Sequence, residues 1–204
     1  MKEFWNERYQ ESELAYGDAP NSFFKQELDK IATPGKILLP LEGQGRNAIY
    51  AAQKGWDVVA FDFSESGKSS ALGLAKRFNV EIDYRIDTME DFNATTNEFD
   101  LIALIYAHLP ENNRESNHRK LASFLKSGGT FIIEGFEKSQ LNYTSGGPKK
   151  ESMLYSKELL SSDFSTLDIV ICSHEIVHLN EGKYHEGKAS VIQFVGKKKQ
   201  GKRI

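Results

Sequence analysis

Ile37-Leu38-Leu39-Pro40-Leu41-Glu42-Gly43-Gln44-Gly45-Arg46-Asn47-Ala48 decides how this chain is read. A short apolar run from Lys36 to Leu41 ends in Gly-x-Gly, and a helical stretch continues through Lys54. Glycines permit a tight turn and close approach of a ligand, and a helix start points free N–H groups at negative charge. Trp56 to Phe63 reads as the next strand. Asp62 near its end stands close to the ~20-residue offset of an acid that binds ribose hydroxyls.

Outward from this segment the same alternation repeats. Ser66 to Phe78 reads as a helix, Val80 to Ile86 as a strand and Pro110 to Leu125 as a helix, with Thr130 to Glu134 as a further strand. Asp100 to Tyr106 (DLIALIY) is nearly all apolar, as a strand covered on both faces must be. Leu167 to Leu179 and Lys188 to Val195 are strand-like and joined by Asn180 to Gly187, too short for a helix, so they should pair as an antiparallel hairpin. The expected fold is α/β: Rossmann-like, doubly wound and mostly parallel, with seven strands, helices on both faces and a C-terminal antiparallel hairpin. One domain over 1–204 is expected, made of a helical cap (1–35), the core (36–196) and a basic tail (197–204). Pro20-Asn21-Ser22 offers a turn and helix cap within the first part.

Composition narrows the function classes. Hydrophobic residues at 39% and charged residues at 27% are ordinary for a folded chain. No apolar run approaches the roughly 20 residues that span a bilayer, and the charged start does not read as a signal peptide. A single cysteine, Cys172, excludes an intrachain disulfide framework and agrees with a cytoplasmic location. The net charge of −3 includes five cationic side chains in the last eight residues, without which the body stands at −8. Nucleic acid is therefore a poor partner for it. Neither nucleic acid nor membrane is expected; the oligomeric state is limited to monomer or homodimer.

Gly43-x-Gly45-x-x-Ala48 also suits the fingerprint of a dinucleotide site. That leaves an NAD(P)-dependent oxidoreductase, or a non-catalytic nucleotide-binding module, as alternatives. Glu42 directly before the glycines would repel a pyrophosphate, whereas it suits the ammonium of a zwitterionic, sulfonium-bearing cofactor.

With these residues in view, the chain resembles class I S-adenosylmethionine-dependent methyltransferases, in particular the small-molecule branch of the tellurite-resistance and thiopurine methyltransferases. The resemblance runs through FWNERY and Tyr16-Gly17, LEGQGRNA, AFDFS, Asp87-Thr88-Met89, IYAHLP, LKSGGTFIIEGF, the loop Tyr143 to Pro148, and EGKYHEGKASVIQF. The family's sheet also ends in an antiparallel hairpin. The usual first motif has an acid within the strand and a further glycine, where this chain has Leu39 and Leu41. The resemblance implies S-adenosylmethionine as cofactor and a small-molecule methyl acceptor. It implies Glu42, Gly43, Gly45 and Asn47 at the methionine end, Asp62 on the ribose, Phe63 and Ser64 beside the adenine, and Asp87, Thr88 and Met89 around its far edge.

Methyl transfer needs alignment and exclusion of water, and a base only when the acceptor must lose a proton. Candidates for contact with the reacting groups are Tyr106, His108 and His185, with Glu134 more structural. Gln140 to Pro148 is placed to act as a lid, and Trp5, Tyr9 and Tyr16 to cover the cofactor. No metal site is expected, since His174 and His178 on one strand would stand roughly 13 Å apart.

Overall fold

A computed structural model describes residues 2–11 and 14–200. The chain runs α1 (Lys2–Glu11), α2 (Ser22–Leu28), β1 (Lys36–Pro40), α3 (Arg46–Gln53), β2 (Asp57–Asp62), α4 (Glu65–Phe78) and β3 (Asp83–Ile86). It continues with β4 (Phe99–Ile105), α5 (Glu111–Phe124), β5 (Leu125–Phe136), α6 (Lys157–Asp163), β6 (Leu167–Asn180) and β7 (Glu186–Lys198).

All seven strands form one sheet in the order β3-β2-β1-β4-β5-β7-β6. The first five are parallel; β7 inserts antiparallel between β5 and β6. The expected hairpin ending is thus present. Alternate residues of β1 feed opposite layers: Ile37 and Leu39 pack with Phe24 and Leu28 of α2 and Ala48 and Ala51 of α3, while Leu38 packs with the layer containing Leu121 of α5 and Leu160 of α6. Because each face is covered, the strands are apolar throughout rather than alternating.

Local chemistry sets the ends of the elements. Asn21 caps α2 by accepting from the Phe24 N–H, and Ser64 caps α4 by accepting from the Gly67 N–H. Asn79, left-handed at φ 52°, ends α4.

The N-terminal stretch forms two helices, the second capped by Asn21 at the turn read from Pro20-Asn21-Ser22. Two features differ from the sequence reading. The short helix α6, absent from the sequence reading, packs against β6 and α5 and holds the buried Asp163. The basic tail begins later than residue 197: Lys197 and Lys198 belong to β7, and the Lys198 ammonium donates to Asn97 Oδ1 and to the carbonyls of Ser123 and Leu125. Backbone pairing and three acceptors around one ammonium outweigh the fraying expected of a terminal charge run. Residues 201–204 of that tail lie outside the described residues. No described helix is long and apolar enough to cross a membrane.

Candidate functional site

Strand order reverses between β1 and β4, and the crevice at such a reversal is where doubly wound sheets bind ligands. Two non-glycine residues are held there in the left-handed region, Leu41 at φ 52° just after β1 and Tyr106 at φ 51° just after β4. Bulky side chains at positive φ store strain, and such strain collects at functional sites. The switch point is therefore marked twice, from neighbouring strands.

Gly43 and Gly45 follow Leu41 with φ of 60° and 87°. A Cβ on Gly45 would stand 2.6 Å from that of Ala71, so the glycine allows α3 and α4 to approach. A Cβ on Gly43 would stand 2.5 Å from the Tyr9 hydroxyl oxygen, which places α1 across the loop. Asn6 accepts from the Ser64 hydroxyl at 2.6 Å and Gln10 donates to Ser66 at 3.0 Å, fastening that helix to the start of α4. Tyr9 thus covers the loop from α1.

Neither acid of the loop makes an ion pair among the described residues, although the charge of Arg46 acts on Glu42. Asp62, 3% exposed, accepts from the N–H groups of Gly43 at 3.1 Å and Ser64 at 2.8 Å. Burial pushes its carboxyl up to about 6, those backbone donors only partly opposing the rise. Glu42 accepts from the N–H groups of Asn47 at 2.8 Å and Ala48 at 2.9 Å, and burial pushes it up to about 7. Its carboxylate therefore occupies the start of α3, where a dinucleotide would set its pyrophosphate.

The remaining residues read as cofactor contacts are spread around this loop. Asn47 reaches Glu42 with its side-chain N–H and accepts from the Asn21 N–H. Phe63 is half-buried beside Asp62, and Ser64 is spent as the α4 cap. Asp87 is half-buried and accepts from the Thr88 N–H, while the Thr88 hydroxyl pairs with Asp91. Met89 belongs to the core layer beneath α5.

Across the crevice, Tyr106 donates to Glu134 at 3.1 Å, and its ring meets His185 at 4.4 Å and Phe136 at 4.8 Å. Glu134 also accepts from Asn21 at 2.6 Å and Gln193 at 2.7 Å. Burial raises its carboxyl above the ordinary range, with these donors opposing. Glu181, in the hairpin turn, pairs with Arg46 at 2.8 Å and His185 Nδ1 at 3.3 Å, and is held down at about 2 although burial alone would raise it. Gly146 and Gly147 of the expected lid press on His185 and Phe136, where added Cβ atoms would stand within 3 Å.

The structure separates the two candidate histidines. His108 has both ring nitrogens engaged: Nδ1 lies 2.8 Å from the Met153 carbonyl, and Nε2 accepts from the Phe136 N–H at 3.1 Å. Burial pulls it down to about 4, so it is a neutral strut between β5 and the segment after it, with no nitrogen left for a substrate proton. His185 has one nitrogen engaged. Sequence reasoning missed Asn21 as more than a cap, and missed Arg46, Glu181 and Gln193. Asn21 meets Glu134 across 113 positions and Arg46 meets Glu181 across 135, separations with no local pattern.

Comparison with known proteins agrees with this geometry. Residues 42–129 match the family model described as a methyltransferase domain. No curated protein matches the sequence. Among solved structures, the chain is similar to TehB from Haemophilus influenzae, at 17% identity and TM-score 0.74 over 97% of this chain and 67% of that one. It is also similar to the Burkholderia thailandensis 1,6-didemethyltoxoflavin-N1-methyltransferase with bound 1,6-didemethyltoxoflavin and S-adenosylhomocysteine, at 15% identity and TM-score 0.69 over 98% and 87%. The [4+2]-cyclase SpnF is similar as well, at 13% identity and TM-score 0.73 over 98% and 95%, so likeness at this level fixes the fold and not the reaction. Residues 42–129 thus match a methyltransferase domain in sequence, and the whole chain shares its fold with TehB and the other structures named.

Proposed function

We propose that the protein transfers a methyl group from S-adenosylmethionine to a small-molecule acceptor. The observation that carries this reading is the pair of buried loop acids, Glu42 and Asp62, neither of which has an ion-pair partner among the described residues, Arg46 acting on Glu42 only through its field. Unneutralised carboxylates are costly inside a protein and suit a ligand that brings hydrogen-bond donors and positive charge. Ribose hydroxyls answer Asp62, whose oxygens each keep a lone pair after accepting one backbone bond. An ammonium or sulfonium answers the field of both acids, which opposes a pyrophosphate.

In this reading Gly43, Gly45, Glu42 and Asn47 hold the methionine end, Asp62 the ribose, and Phe63, Ser64, Asp87, Thr88 and Met89 surround the adenine. The cofactor supplies a methyl group already activated by its sulfonium. The chain's part is to orient it, to exclude water beneath α1 and the Gly146–Gly147 loop, and to align the acceptor beside Tyr106 and His185. Titration calorimetry with S-adenosylhomocysteine and with NAD tests the proposal: heat with the first and none with the second is expected, and the reverse would end it. The cytoplasm, with its free supply of S-adenosylmethionine, is the setting this function requires.

A further inference from the structure

His185 is 6% exposed and sits among the rings of Tyr16 at 4.6 Å, Tyr106 at 4.4 Å and Phe136 at 5.2 Å. Its Nδ1 lies against Glu181, and Glu181 in turn is clamped by Arg46, which also donates to the Tyr16 carbonyl at 3.1 Å. A carboxylate against Nδ1 places the ring proton there and leaves Nε2 with its lone pair free to receive a proton. Nε2 has no hydrogen-bond partner among the described residues, in contrast to both nitrogens of His108. Arg46 is the first residue of α3, directly after the glycine loop, so one side chain ties the cofactor half to the histidine.

We propose that Arg46 and Glu181 are positioning residues that set His185 as the proton acceptor of the reaction, and that the methyl acceptor is a neutral molecule bearing an O–H, N–H or S–H rather than an oxyanion. The inference rests on the methyltransferase reading above. The acceptor gives its lone pair to the methyl carbon and its proton to His185 Nε2, while the electron pair of the broken carbon–sulfur bond stays on sulfur. An anionic acceptor needs no base, and it would enter a crevice where Glu42, Asp62, Glu134 and Glu181 outnumber Arg46 and Arg8. Burial holds His185 below the ordinary histidine range, with Glu181 opposing, so the ring is neutral and able to accept a proton near pH 7. The ionisable groups around it are Glu181 from its own turn, Arg46 from α3, Arg8 from α1, Tyr16, and Tyr106 and His108 after β4, with Glu134 of β5 reached through Tyr106.

Two measurements on the full chain test this. Histidine NMR should show His185 as the Nδ1–H tautomer with its midpoint below 6.5; Glu181→Gln should lower that midpoint and Arg46→Gln should raise it. Residues that do not act on His185 would leave both midpoints in place, and a pair with a merely structural role would leave kcat and its pH profile unchanged in the folded variants. Turnover with S-adenosylmethionine should methylate the neutral phenol 4-methylumbelliferone and not selenite. The phenol rate should be lost on the acid side of the His185 midpoint, and His185→Gln should cut kcat by about 100-fold or more while KM stays within a few-fold. An Nε2–H tautomer, unmoved midpoints, preference for selenite, or a His185→Gln variant at full rate overturns the proposal. So does protein that binds S-adenosylhomocysteine but methylates neither probe. Absence of S-adenosylhomocysteine binding instead sinks the cofactor reading, and the tautomer and midpoints then decide the positioning pair alone.

Discussion

The two halves of the crevice meet their acids with different kinds of partner. On the loop side, Glu42 and Asp62 are met mainly by backbone N–H groups, and both carboxyls rise. On the hairpin side, Glu134 collects donors from Asn21, Tyr106 and Gln193, and Glu181 has Arg46 and His185. In the second half side chains meet both carboxylates, although burial still raises Glu134 and His185 keeps a free nitrogen; the first is stable enough to fold but leaves electrostatic demand unmet. A site that keeps such demand open is built for a ligand, whereas a satisfied network is built to hold a shape. The same contrast separates His185, with a nitrogen to spare, from His108, with none.

Removing one acid from each half should sharpen this contrast most. Glu134→Ala removes the acceptor shared by Asn21, Tyr106 and Gln193 and should cost about 3 kcal/mol of folding stability in urea unfolding. Asp62→Ala should cost much less at pH 8, because it also removes a buried uncompensated charge, yet weaken S-adenosylhomocysteine by about 10- to 100-fold in calorimetry. Equal stability losses with equal affinities would break the comparison.

Next in size is the pH dependence. Asp62 has its folded value raised from 3.8 to about 6, so the folded state holds a proton that the unfolded chain releases first. Its contribution is favourable at acid pH and is lost as pH rises through about 6. His108, His118 and His185, all held below the ordinary value, slope the other way over part of that range. The informative quantity is the difference between Asp62→Asn and wild type, which should move toward the variant by on the order of 3 kcal/mol between pH 4 and 7 and level off above that. A flat difference would show that Asp62 is already neutralised.

His108→Gln should cost about 2 kcal/mol through two lost buried bonds, with the pH profile of turnover unchanged in the folded fraction. The smallest effect belongs to the exposed Lys2–Glu65 pair that tethers α1, whose Lys2→Ala variant should melt with the wild type in a thermal scan.

Much of the fold was legible locally. The strand–glycine–helix segment, Asp62 closing β2, the apolar run of β4 and the hairpin ending all lie in short stretches whose periodicity and turn chemistry are written in neighbouring residues. The site was legible only where it follows the fold, at the loop after β1 and the end of β2. Helix α6 was missed because seven residues carry too little periodic signal. His108 was read as a chemical group because a histidine before a proline in a loop looks available, and nothing nearby announces that β5 and Met153 will take both nitrogens.

By itself the sequence determined the architecture, the glycine turn and the acid that closes β2, since backbone freedom, alternation and strand length act between residues a few positions apart. Only the tertiary structure decided which acids are neutralised and which histidine keeps a free nitrogen. Those outcomes depend on burial and on partners such as Asn21, Arg46 and Glu181, brought within about 3 Å across more than a hundred residues of chain.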